Sequence, residues 1–266
     1  MERDSHTEPK KLNLDLHEIY EVEQKKWNKH AQKRLSQLRP LKQDFHKHAR
    51  NSYTLKGISE FLGTLDNKLV LEIGCGLGKT ATRLAMSGAT VVAMDISYFS
   101  VIATRRQAKL NNVSDRIQLL TGVGEKLPFA SESFDVIFGK GVLHHLDVDQ
   151  GWSEIERILK PGGKAAFSEP MGMNPVLDFV RDYVPYPGKN PRGADVPLNY
   201  RQIKKWGAAF DRFRYKEIQL LSMIERGFGH GTKFPVLRRT DERLLEAVPF
   251  LRRFCRYTVM FMEKSY

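Results

Sequence analysis

Two hydrophobic periodicities alternate along this chain. Over about 15–37, Leu16, Ile19, Tyr20, Trp27, Ala31, Leu35 and Leu38 recur at roughly helical spacing, and Pro40 stops the run. A second helix is predicted over roughly 44–62. From there, short apolar runs alternate with amphipathic stretches: strands at 69–73, 90–94, 117–120, 134–138 and 164–168, with helices over 79–87, 98–111 and 150–159. Alternation of this kind predicts βαβ units, a mostly parallel sheet, and right-handed crossovers that put helices on both faces. Beyond this the pattern changes. Residues 184–199 are too rich in proline and glycine for a helix or an interior strand, so they read as a long surface loop, either a functional lid or a linker. After it, 200–209 and 241–254 read as helices, 212–221 as a strand and 257–262 as a closing strand. That last run is apolar on both faces, as a strand buried inside the sheet would be. The organisation expected is a helical cap over 1–62, an α/β core over 63–183, and a lid with sheet-completing elements over 184–266.

Composition narrows the class without changing the fold. At 266 residues and 41% hydrophobic, the chain can bury a real core. No apolar run approaches the ~18 residues of a membrane span, and the opening MERDSHTEPKK has no signal-peptide stretch, so a cytoplasmic location is expected. Cys75 and Cys255 are expected to stay reduced. The formal net charge of +12 is uneven: residues 1–50 hold 12 basic against 8 acidic side chains, 51–180 hold 13 against 14, and 181–266 hold 18 against 9. Basic flanks around a neutral middle either solvate helix faces or recruit an anionic partner.

The chemistry concentrates at two strand ends. The run Leu69-Val70-Leu71-Glu72-Ile73-Gly74-Cys75-Gly76-Leu77-Gly78-Lys79 passes from an apolar strand through alternate glycines into a helix. Glycine there lets backbone approach a ligand closely. The next strand ends at Asp95, about 20 residues on, where a carboxylate can accept hydrogen bonds from both ribose hydroxyls. Counting from Gly74, the third glycine of a G-x-G-x-x-G dinucleotide fingerprint would fall at position 79, where Lys79 stands. No G-x-x-x-x-G-K-[ST] phosphate loop is present either. A nucleoside without phosphates fits better.

With V-L-E-I-G-C-G-x-G, Asp95, E-K-L-P-F at 125–129, S-F-D-V-I at 133–137, V-L-H-H at 142–145 and L-K-P-G-G at 159–163, residues 68–169 resemble the class I S-adenosylmethionine-dependent methyltransferases, of the type 11 kind. The resemblance implies a Rossmann-like, seven-stranded sheet whose last strand is antiparallel. It implies that Gly74, Gly76 and Gly78 pass under the methionyl part, that Glu72 helps bind its amino end, and that Asp95 holds the ribose. It extends the cofactor set to Cys75, Ile96, Val123, Gly124, Glu125 and Gly139. The family often carries an acidic residue two positions before the Glu of E-x-L-P-F, where this chain has Val123, so backbone of 123–125 and packing from Ile96 must hold the adenine. In this family the second histidine of V-L-H-H often lines the cofactor pocket, so His145 is either a pocket wall or a general base. Tyr20, Trp27 and Tyr53 are candidates to touch ligand, since N-terminal helices in this family often close over the cofactor.

Glu169 ends the strand at 164–168 and should emerge at the carboxyl edge of the sheet, where ligands sit in open α/β folds, so it is a candidate proton acceptor. Lys140 and Asn174 join the expected acceptor pocket. No cysteine or carboxylate stands at metal spacing to His144 and His145, and no metal is expected. The expected activity is methyl transfer to a small, anionic molecule on O, N or C. Two rivals are an RNA methyltransferase, against which no RNA-binding module is recognisable, and a non-catalytic S-adenosylmethionine-binding or membrane-surface protein. In the last, Leu244, Leu245, Val248, Phe250 and Leu251 would lie beside Arg243, Arg252, Arg253 and Arg256 on anionic lipid.

Overall fold

The computed structural model describes residues 16–55, 57–185, 196–228 and 234–266. Seven strands form one sheet: β1 (Leu69–Ile73), β2 (Thr90–Asp95), β3 (Ile117–Thr121), β4 (Phe134–Lys140), β5 (Leu159–Pro170), β6 (Arg212–Ile218) and β7 (Tyr257–Glu263). Their order is β3-β2-β1-β4-β5-β7-β6. The first five are parallel, and β7 enters antiparallel between β5 and β6. The Rossmann-like sheet with an antiparallel last strand is therefore present as expected. The apolar run in β7 has its reason here, because both its edges and both its faces are covered.

Period-2 side-chain alternation sorts the strands into two cores. On one face Val70, Val91, Val136, Phe138, Val259 and Phe261 pack with α2 (Phe45–Asn51), α3 (Ile58–Leu62) and α4 (Lys79–Met86). On the other, Leu71, Met94, Ile137, Phe167, Met260 and Met262 meet α6 (Val148–Ile158) and α8 (Tyr200–Gly207), with Trp206 1% exposed. Each such fully buried side chain contributes about 1.5–3 kcal/mol. The cap begins with α1 (Leu16–Arg34), which packs against α5 (Tyr98–Lys109).

Three elements differ from the sequence reading, each for a local reason. The helix expected over 44–62 is α2 and α3 with a 3-10 turn at Tyr53–Leu55 between them, and Gly57 starts α3 at φ +80°. The strand expected to reach 221 ends at Ile218, because Gln219 turns to φ +65°. The last helix, α9, runs Pro235–Ala247, earlier than expected, and Pro249 opens a separate 3-10 turn, since proline cannot continue a helix interior. After β5 comes α7 (Pro175–Tyr183), a helix the sequence reading did not include. Most of the loop expected as a lid, residues 186–195, lies outside the described residues, while its far end bridges Met171 through Leu198.

Candidate functional site

The site begins where β1 ends. Gly74, Gly76 and Gly78 adopt φ of +75°, +53° and +70°, which residues with a β-carbon rarely accept. The amides of Gly74 and Cys75 both donate to Met94 O, at 2.9 and 3.0 Å. The turn is thus stitched to the end of β2, where Asp95 accepts from Gly76 N at 2.8 Å and Ser97 N at 2.9 Å. Burial raises the pKa of the Asp95 carboxyl, and those two amides pull against the rise. The Ser100 side chain bonds the same carboxyl, and what these three donors leave is open to a ligand.

A cavity of about 210 Å³ opens here. Gly74, Gly76, Asp95, Ile96, Val123, Gly124, Glu125, Lys140 and His145 line it, and α1 lays Ile19, Tyr20, Glu23 and Trp27 along it. Helix α1 is held in place by named bonds: Gln24 Nε2 donates to Ile96 O at 3.0 Å, and Asn28 Oδ1 accepts from Ser97 Oγ at 2.8 Å and Phe99 N at 3.2 Å. Within it, Trp27 Nε1 donates to Glu23 Oε2 at 2.7 Å, and the same oxygen lies 3.6 Å from His145 Nδ1. Trp27 meets the His145 ring edge-on. Glu125 accepts from Asp147 N at 3.0 Å beside the Tyr20 hydroxyl; burial raises the pKa of both groups.

Other expected site residues lie elsewhere. Glu169 is fully buried, and both its oxygens are engaged: Val142 N donates to one at 2.9 Å and His144 Nδ1 to the other at 2.8 Å. It does not line the cavity but fixes the 142–145 turn that does. Gly78 and Gly139 are both tightly packed. A β-carbon on Gly78 would stand 2.5 Å from Thr104 Cα, and one on Gly139 would stand 2.7 Å from Val142 Cγ1. Cys75 is buried against Thr104 Oγ1. Tyr53 belongs to the core under the Arg238 guanidinium, 5.1 Å from its ring centroid. Asn174 caps α7, accepting from Val176 N and Leu177 N, and donates to Phe254 O. Glu72 sits beneath the glycine turn at 3% exposure with one carboxylate oxygen unpartnered, and desolvation holds its pKa well above the ordinary range.

The cavity also gathers Glu23, Gly122, Val142 and Leu146, which the sequence reading did not single out. Glu23 was within reach, since it lies three residues after Tyr20 and four before Trp27, on the same face of α1.

These features fit a nucleoside with a cationic amino-acid tail. A β-carbon on Gly76 would meet nothing within 4 Å, so the backbone there faces open space, and one strand residue before Ile73 of the lining the buried Glu72 keeps an oxygen with no partner among the described residues. The fold and the cavity define a Rossmann-like nucleoside-binding protein of the kind that binds at the carboxyl edge of its sheet. Residues 71–167 match the family described as methyltransferase domain. Demethylmenaquinone methyltransferase of Chlorobaculum parvum is 39% identical over 111 residues, 41% of this chain and 44% of that protein. Ubiquinone biosynthesis O-methyltransferase of Acinetobacter baumannii is 31% identical over 161 residues, 59% of this chain and 63% of that one. Geranyl diphosphate C-methyltransferase of Streptomyces coelicolor A3(2), solved with Mg2+, geranyl diphosphate and S-adenosyl-L-homocysteine, shares the fold at a TM-score of 0.65 and 15% identity. That match covers 92% of this chain and 97% of that one. The chain spans 27% to 44% of the length of the first curated relatives it matches. It carries a class I S-adenosylmethionine-dependent methyltransferase domain.

Proposed function

We propose that this chain transfers a methyl group from S-adenosylmethionine to a small anionic acceptor. The observation that carries the reading is the single cavity in which the glycine turn, the carboxylate ending β2 and the 122–125 loop face one space, closed over by α1. In this reading Asp95 accepts the ribose hydroxyls with the lone pairs that Gly76, Ser97 and Ser100 leave free. Ile96 and Val123 pack on the adenine, backbone of 123–125 takes its polar edge, and Gly74, Gly76 and Glu72 hold the amino-acid end. Bound there, the sulfonium supplies an electrophilic methyl carbon. The chain's own work is to hold donor and acceptor in line and to exclude water. Trp27, Ile19, Val142 and Leu146 form the dry wall.

The acceptor reading rests on charge. Lys140 lines the cavity from an exposed position, and the last third of the chain is strongly basic. The relatives named above act, by their names, on quinone precursors and a prenyl diphosphate, which are small molecules. An acceptor hydroxyl or carbon needs a base, and His145 reaches the cavity with Glu23 behind its Nδ1, whereas Glu169 does not.

The test is calorimetric titration with S-adenosylmethionine and S-adenosylhomocysteine, for the wild type and Asp95→Ala. Binding by the wild type and a roughly hundredfold loss in the variant are expected, as removal of two charge-assisted hydrogen bonds implies. Absence of binding to either nucleoside would overturn the reading. A binding result licenses a methyl-transfer screen of anionic against neutral acceptors.

A further inference from the structure

Helix α7 is inside out. Its exposed positions are apolar: Val176 at 67%, Phe179 at 59%, Val180 and Tyr183, and on a helical projection they fall within one narrow stripe. Its other side, Leu177 with the polar Asp178, Arg181 and Asp182, is only partly covered, and Asp178 pairs with Arg181 at 2.6 Å. Phe179 and Tyr183 lie ring against ring at 5.1 Å on the outward side. A helix on a water-facing surface shows the reverse arrangement, so this stripe is built to be covered.

The neighbouring element indicates the occupant. Asn174 Nδ2 donates to Phe254 O and Met171 N to Arg256 O, which ties the start of α7 to the 3-10 turn Pro249–Phe254. That turn exposes Phe250 at 63%, with Arg253 stacked on Phe250 and Phe254 at 5.2 and 6.0 Å. Residues 248–256 hold three arginines and no acid. Apolar side chains with an arginine collar match the boundary between anionic headgroups and acyl chains. A two-fold contact between copies over the same face would bring like arginines together, which disfavours a second copy.

From this we infer that the α7 face with the 249–254 turn docks the protein on anionic lipid bilayers. This surface is separate from the cavity and independent of the methyl-transfer reading. The test is co-sedimentation of the full chain with vesicles of phosphatidylcholine alone and of phosphatidylcholine mixed with phosphatidylglycerol, at low and raised salt. Binding to the mixed vesicles, weakened by salt, is expected. The double variant Val176→Asp/Phe179→Asp should abolish it, and Arg253→Glu should weaken it roughly tenfold. Both variants should keep wild-type S-adenosylhomocysteine affinity, which reports that they are folded. Absence of binding to mixed vesicles, or unchanged binding by both variants, would overturn the inference. So would a dimer, seen by light scattering, that the double variant splits without any vesicle binding. Where neither variant binds the nucleoside, the milder pair Val176→Ser/Phe179→Ser replaces them in the mixed-vesicle assay, with weakened binding expected and unchanged binding counting against the apolar stripe.

Discussion

Gly76 and Gly78 look alike in sequence but should fail differently. Both have positive φ, so alanine at either costs about 1–2 kcal/mol in backbone strain. At Gly78 the new β-carbon would also stand 2.5 Å from Thr104 Cα, backbone that cannot swing aside. Overpacking of that kind adds about 1–3 kcal/mol, so Gly78→Ala should lose roughly 2–5 kcal/mol in all. At Gly76 the β-carbon meets no protein atom and projects into the cavity space. Gly76→Ala should therefore stay near the strain cost alone while losing nucleoside affinity by roughly tenfold or more, the equivalent of about 1–3 kcal/mol of steric conflict with the ligand. Urea denaturation separates the stabilities, and calorimetric titration with S-adenosylhomocysteine separates the affinities. Equal stability losses in the two variants would refute the assigned contact with Thr104, and wild-type affinity in Gly76→Ala would remove the cavity as the cofactor site.

Three further predictions follow from buried groups. Glu72 keeps its proton in the folded state at pH values where the unfolded chain has released it. Stability should therefore fall as pH rises from the ordinary carboxylate range toward the raised folded value, and Glu72→Gln should flatten that slope in urea midpoints measured from pH 5 to 8. Glu169→Gln should destabilise the protein by about 1–3 kcal/mol in denaturant titration, because the Gln amide cannot accept from both Val142 N and His144. Asn28→Ala removes the acceptor that holds α1 to Ser97 and Phe99, so limited proteolysis should cut α1 faster, and S-adenosylhomocysteine should protect the wild type more than the variant.

The sheet was legible because a buried parallel strand writes itself as a short apolar run, and the glycine turn and Asp95 because backbone conformation and strand ends are local. What the sequence did not disclose depends on distant partners. Gly78 and Gly139 share the spacing or setting of ligand-facing glycines, yet what fills the space beside them is Thr104 in one case and Val142 with Phe167 in the other. Glu169 stands at the expected carboxyl edge, but the chain returns Val142 N and His144 to it and uses up its oxygens. Glu23 joined the site only because α1 crosses the end of β2, held there by hydrogen bonds that span 69 to 72 residues of sequence. The continuous helix read over 44–62 stops at Asn51, where Ser52 turns extended, and restarts from the positive-φ Gly57, local conformations that helical periodicity does not encode.

The place of β7 carries a consequence for biosynthesis. Because β7 sits between β5 and β6, the free edge of β5 has no partner until the chain has been made through residue 263. β5 ends at Pro170 and β7 begins at Tyr257, so 87 residues must be added before pairing can start. At ~5–20 residues per second the ribosome needs roughly 4–17 s to supply them. For that interval the nascent chain displays an apolar, hydrogen-bond-hungry strand edge, the type of surface that captures chaperones and like strands. Closure of the sheet therefore waits for β7, the last of its strands in chain order, and β6, which pairs with β7, joins the sheet only when β7 inserts.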